Sequence, residues 1–153
     1  MTATPGADTF MDHAKQTAFV EHVRGRGGAS AQVAVTLEQF FDGNDCEWCI
    51  APNRPEDVPL EVVRRVLFDL RSHPEVHDVR IELDVLEFDT FPDDEWPYAS
   101  GAAVVTTLLP EEVDSLTIEA DTESSGGPAA GADWLVDAPG VPTGHHYVGV
   151  WWD

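Results

Sequence analysis

The sequence predicts a two-layer α+β sandwich: a mainly antiparallel sheet of four to five strands with helices on one face. Three observations lead there. The run "VRIELDV" at 79–85 alternates apolar and charged residues with period two, the mark of a strand buried on one side. Leu60, Val63, Val66, Leu67 and Leu70 recur with the spacing of a single helix face. With 153 residues and a hydrophobic fraction of 42%, the chain is long and apolar enough to bury one core without disulfides or metal.

In chain order, residues 1–31 read as an N-terminal helix and linker, partly flexible, and 32–153 as a single α+β domain. Thr9 and Asp12 form a capping-box pattern, with Phe10, Ala14, Ala18 and Phe19 on the apolar side of the helix. "RGRGG" closes it with basic residues in the last turn and glycines beyond. "QVAV" reads as a short strand. Thr36 to Gln39 is a second capping box, opening a helical turn or two that Gly43-Asn44 ends. "CEWCI" (46–50) reads as extended, because the prolines of "APNRP" disfavour helix. Pro59 opens the clearest helix, which runs to about His73 and is stopped by Pro74. Within the strand at 79–88, Leu86 and Phe88 break the alternation and mark a bulge or departure from the sheet. "AAVVTTLL" (102–109) is apolar on both faces and therefore central. Pro110 starts a short helix, "ESSGGPAAGA" is a loop, and "HHYVGVWW" (145–152) is the last strand. From residue 46 the succession strand, helix, strand, strand, helix, strand matches the split βαβ (ferredoxin-like) order.

Charge carries most of the functional reading. The net charge is −21, and after Arg80 there is no Lys or Arg while sixteen Asp and Glu remain. Such a chain is expected to avoid nucleic acid and anionic membranes, both of which are bound through basic side chains. It is expected to attract a basic protein instead. Five tryptophans stand at 48, 96, 134, 151 and 152, four of them directly beside an acid. Tryptophan is a favoured interface anchor. The expected partner-binding set is therefore Trp96 with Asp93, Asp94, Glu95, Glu82, Asp84, Glu87, Glu111 and Glu112. Asp93-Asp94-Glu95 also offers oxygen donors for Ca²⁺ or Mg²⁺, without the alternate-residue spacing of a calcium loop.

Both cysteines lie in Cys46-Glu47-Trp48-Cys49. A redox pair of this spacing is usually activated by a following helix, and "IAPNRP" forbids one. As a zinc site the pair needs further ligands, of which His145 or His146 would supply one. On an extended segment Cys46, Trp48 and Ile50 share one face, where cysteine serves as a small hydrophobe. No phosphate-binding glycine loop, nucleophile elbow or His-Glu-x-x-His pattern is present.

"LEQFFDGND" (37–45), "EWPYASGAAVVTT" (95–107) and "VWWD" (150–153) resemble small acidic proteins of high-GC bacteria known as uncharacterised, over residues 33–153. That resemblance carries over no functional residue. In size, acidity and α+β order the chain is also similar to immunity proteins that neutralise secreted toxins. The expectation is a cytoplasmic, non-enzymatic protein without catalytic residues or cofactor. It would occlude a cationic partner, as an immunity protein or inhibitor of a basic toxin. The alternatives are a small zinc domain using Cys46, Cys49 and His145, and an acidic protein adapted to high salt.

Overall fold

Strand pairing organises the molecule around β3. The computed structural model describes residues 12–52, 54–86, 95–120, 122–124 and 134–151. Its strands are β1 (Gln32–Thr36), β2 (Val76–Leu83), β3 (Ala99–Thr106), β4 (Glu123–Ser124), β5 (Leu135–Val136) and β6 (His146–Trp151). They form one sheet in the order β4-β6-β3-β2-β1-β5. β1, β2, β3 and β6 pair antiparallel with their neighbours, and only β5 joins parallel, on β1. Every β3 residue but Ser100 is buried, as its two-faced apolar sequence requires.

The architecture is the expected α+β sandwich, but the strand order is not ferredoxin-like. The predicted first strand, 46–50, is a turn, and it touches the sheet only through an isolated parallel bridge from Ile50 to Ala99. The place of a first strand falls to β1, which lies beside β2 in a meander.

The helices are α1 (His13–Gly25), α2 (Leu37–Phe41), α3 (Leu60–Arg71) and α4 (Pro110–Leu116). Thr36 and Gln39 form the predicted capping box at α2, Oγ1 accepting from Gln39 N–H and Oε1 from Thr36 N–H. Asp12 caps α1, while Thr9 and Phe10 lie outside the described residues. Gly27 and Gly43 follow α1 and α2 with φ of 93° and 83°, where a side chain would strain the backbone.

The main core lies on one face of the sheet. Val33, Val35, Val79, Ile81, Ala102, Val104, Val148 and Val150 meet the apolar sides of the helices there. The helix set apart by the sequence belongs to this core: Phe19 and Val23 of α1 are both in it. The opposite face carries a smaller cluster of Ala34, Ala103, Leu135 and Tyr147.

Candidate functional site

The turn between α2 and α3 holds the chemistry. Asn44 shapes it from within: its Oδ1 accepts the Cys46 N–H at 2.8 Å, and its Nδ2 donates to Phe40 O and to Cys49 Sγ. Cys49 is buried, and its thiol donates to the Cys46 carbonyl at 3.1 Å. Cys46 is half-buried and forms part of a cleft of about 410 Å³ lined also by Glu47, Trp48, Cys49, Pro52, Asp84, Tyr98 and Ala99. The Ala99 N–H donates to the Cys49 carbonyl at 2.8 Å, which fastens the turn to the start of β3.

Arg54 locks the far side. Its side chain is fully buried, donating from Nε to Val58 O at 2.6 Å and from Nη1 to Ile50 O at 2.9 Å. Nη2 pairs with Glu47 at 2.8 Å, and the guanidinium lies 4.5 Å from the Trp48 ring centroid. Glu47 Oε1 also accepts the Leu60 N–H, so the same carboxylate caps α3. Ala51, between these anchors, holds a φ of 53°, a strained conformation for a residue with a Cβ.

This surrounding separates the two thiols. A hydrogen bond from the Cys49 thiol pulls Cys46 down from 9.0 to about 7, aided by the backbone amides of Trp48, Trp96 and Cys49 and opposed by burial. Cys49 moves the other way, raised first by its bond to Cys46 and then by burial. No helix follows the pair, as the prolines dictate. The Cys49 side chain first, and the backbone amides after it, favour the Cys46 thiolate, a task a helix N-terminus performs elsewhere.

The expected binding residues do not come together. Trp96 is fully buried and stacks on Phe19 at 5.3 Å, so it is a core residue and not an exposed anchor. Glu82 is half-buried and accepts a hydrogen bond from the Tyr147 hydroxyl, and burial raises its pKa. It is held on the second sheet face and does not project as a steering charge. Asp84 is exposed and lines the cysteine cleft. Glu95 is half-buried, and its carbonyl accepts from Gln16 of α1. Glu111 and Glu112 are exposed in the first turn of α4, beyond the opposite end of β3 from Asp84. Glu87, Asp93 and Asp94 lie outside the described residues.

The zinc set is not assembled either. His146 pairs with Thr106 at the far end of β3 from Ala99, roughly 23 Å away at the usual rise of a strand. His145 lies beside it and packs against His77. Among the described residues no three His, Cys, Asp or Glu side chains are grouped to hold a metal ion. No described helix is long and apolar enough to cross a membrane.

Sequence reasoning missed Asn44, Arg54 and Tyr98 as parts of the site. Asn44 and Arg54 flank the cysteines within ten residues, but nothing in their spacing shows that their side chains fold back onto the turn. Tyr98 comes from a segment distant in sequence.

Two comparisons with known proteins bear on the chain. A family model described as "Uncharacterized protein YfbO family" matches residues 14–150. "Uncharacterized protein YfbO" of Escherichia coli (strain K12) is 32% identical over 120 residues, covering 78% of this chain and 81% of that protein. No solved structure matches.

Proposed function

Since the chain belongs to the YfbO family, whose description assigns no activity, we propose its function from its own site: thiol–disulfide exchange at Cys46 and Cys49. The observation that carries this reading is a half-buried Cys46 in an open cleft with a second, buried thiol three residues on, held in the same turn by its bond to the Cys46 carbonyl. Neither the buried-hydrophobe reading nor the zinc reading of the pair accounts for that asymmetry.

The Cys46 thiolate attacks one sulfur of a substrate disulfide. A mixed disulfide forms between them, and the other substrate sulfur leaves as a thiolate that takes a proton from water. Cys49 then loses its proton and attacks the Cys46 sulfur. The Cys46–Cys49 disulfide forms, and the second substrate thiol is released. The protein loses two electrons and the substrate gains them; an external dithiol returns the protein to its reduced form. Once Cys46 is bonded to substrate its negative charge is gone, which removes one of the causes that keep Cys49 protonated.

The test is reduction of an aromatic reporter disulfide by wild type, Cys46→Ser and Cys49→Ser. Wild type is expected to release two reporter thiols and end with an internal disulfide. Cys49→Ser should stop at a stable mixed disulfide, and Cys46→Ser should react at least tenfold more slowly. Equal rates for wild type and Cys46→Ser would sink the proposal.

A second reading rests on charge alone. The stretch after Arg80, with sixteen acids and no Lys or Arg, suits a protein that docks and occludes a cationic protein such as a basic toxin. With Trp96 in the core, its aromatic anchors would be the exposed Trp48 and Trp134. A pull-down at low and high salt tests it, and recovery of no basic protein at low salt removes it.

A further inference from the structure

We propose that the disulfides this site accepts are those carried in a cationic setting, such as a peptide segment with Lys or Arg beside the bonded cysteine. This inference rests on the exchange reading above and names its substrate class. The cleft at Cys46 has an acidic and aromatic lining: Asp84 and Glu47 contribute carboxylates, Trp48 and Tyr98 contribute rings, and no basic side chain is among its described lining residues. Glu47 is shared with Arg54, and Asp84 adds a second, exposed carboxylate to the same cleft. Tyr98 is 47% exposed and presents an aromatic surface of the kind that attracts ammonium and guanidinium groups. At about 410 Å³ the cleft admits a side chain or two and the sulfur pair, at the small end of ligand sites.

The rest of the molecule acts in the same direction. A net charge of −21 repels anionic disulfides before they reach Cys46 and draws cationic ones toward it. Fields of this kind change association rates by roughly 10 to 10³-fold at low salt. They fade as the screening length falls from about 10 Å at 0.1 M salt towards 3 Å at 1 M. The local and the global charge therefore make separable contributions. Salt removes most of the second, and substitution of Asp84 removes part of the first.

The experiment compares three small disulfides with the reduced protein: cystamine (cationic), bis(2-hydroxyethyl) disulfide (neutral) and dithiodiglycolate (anionic). Each rate is divided by the rate of the same disulfide with dithiothreitol, which cancels intrinsic reactivity. At 20 mM salt the normalised rates are expected to fall in the order cationic, neutral, anionic, with at least tenfold between the extremes. At 0.5 M salt the span should shrink to threefold or less. Asp84→Asn, an exposed position, should slow cystamine at least twofold more than it slows the neutral disulfide. Equal normalised rates for all three overturn the substrate inference and leave the exchange reading standing. Absence of exchange with any of them overturns both.

Discussion

The dipeptide Glu-Trp occurs twice, at 47–48 and at 95–96, and the backbone amides of both tryptophans favour the Cys46 thiolate. Beyond that amide the two share little. Trp96 leads through Pro97 into the central strand, and its ring lies against Phe19 in the core. Trp48 sits in a turn with 44% of its surface exposed and, among the described residues, only Arg54 stacked on it. Glu95 contributes its carbonyl to Gln16 of α1, whereas Glu47 contributes its carboxylate to Arg54 and to the start of α3. An acid beside an aromatic is thus no sign of an interface. The elements on either side of the pair decide whether the ring is anchored inside or left beside a cleft.

The sharpest way to break this comparison is to truncate both rings. Trp96→Ala should lose about 3–5 kcal/mol of stability, the range for deleting a large buried aromatic. Trp96→Phe keeps a ring against Phe19 and removes an indole N–H that has no partner among the described residues, so it should lose less than about 1.5 kcal/mol. Trp48→Ala should change stability by under about 1 kcal/mol while altering the kinetics of exchange. Urea unfolding of the three variants checks the order, and a Trp48→Ala loss as large as that of Trp96→Ala would end the distinction.

Arg54→Ala comes next. It strips hydrogen bonds from the carbonyls of Ile50 and Val58 and leaves Glu47 without its ion-pair partner, a loss of about 2–3 kcal/mol. The same change frees the turn, so iodoacetamide should label Cys49 measurably faster than in wild type.

Titration of the thiols gives a finer test. Wild-type alkylation at Cys46 should rise with a midpoint near pH 7, well below the ordinary thiol value of 9.0, because Cys49 and the turn amides hold the thiolate. Cys49→Ala removes the leading cause, and the midpoint should move up. A midpoint unmoved by that change would show that the amides alone suffice.

The smallest effect belongs to Glu38, whose carboxylate pairs with Arg71 through two bonds and is pulled from 4.5 to about 2 by that contact. A depressed carboxylate stabilises the fold above its unfolded value, and the contribution is lost as pH falls from about 4.5 through 2. The pair is largely exposed and screened, so Glu38→Gln should remove only about 0.5 kcal/mol at pH 7. The difference from wild type should vanish near pH 2. Paired melting curves at the two pH values read it directly.

Much of the scaffold was legible because local chemistry and tertiary packing agree. Thr36 and Gln39 cap α2 as their spacing predicts, and the apolar stripe of α3 is its buried face. β3 is central, as a strand apolar on both sides must be. The strand order was not legible, since it depended on reading 46–50 as a strand. Prolines exclude helix there, but they do not choose between an extended segment and a turn. The turn is decided by side chains folding back, Asn44 onto Cys46 and Arg54 onto Ile50, and these contacts have no periodic signature. The site was hidden for the same reason. One of its thiolate-stabilising amides comes from Trp96, some fifty residues away, and only folding brings it to Cys46.

The edges of the sheet are each finished by a strand of two residues, β4 outside β6 and β5 outside β1. A long bare edge is a template on which another chain can extend a sheet. At β5, among the described residues, only Gln32 and Val33 of β1 are paired on that side, and the described covering strand offers just two residues to a newcomer. Short rims of this kind, on molecules that repel one another through their excess of carboxylates, favour chains that stay apart when crowded and resist growth into fibrils.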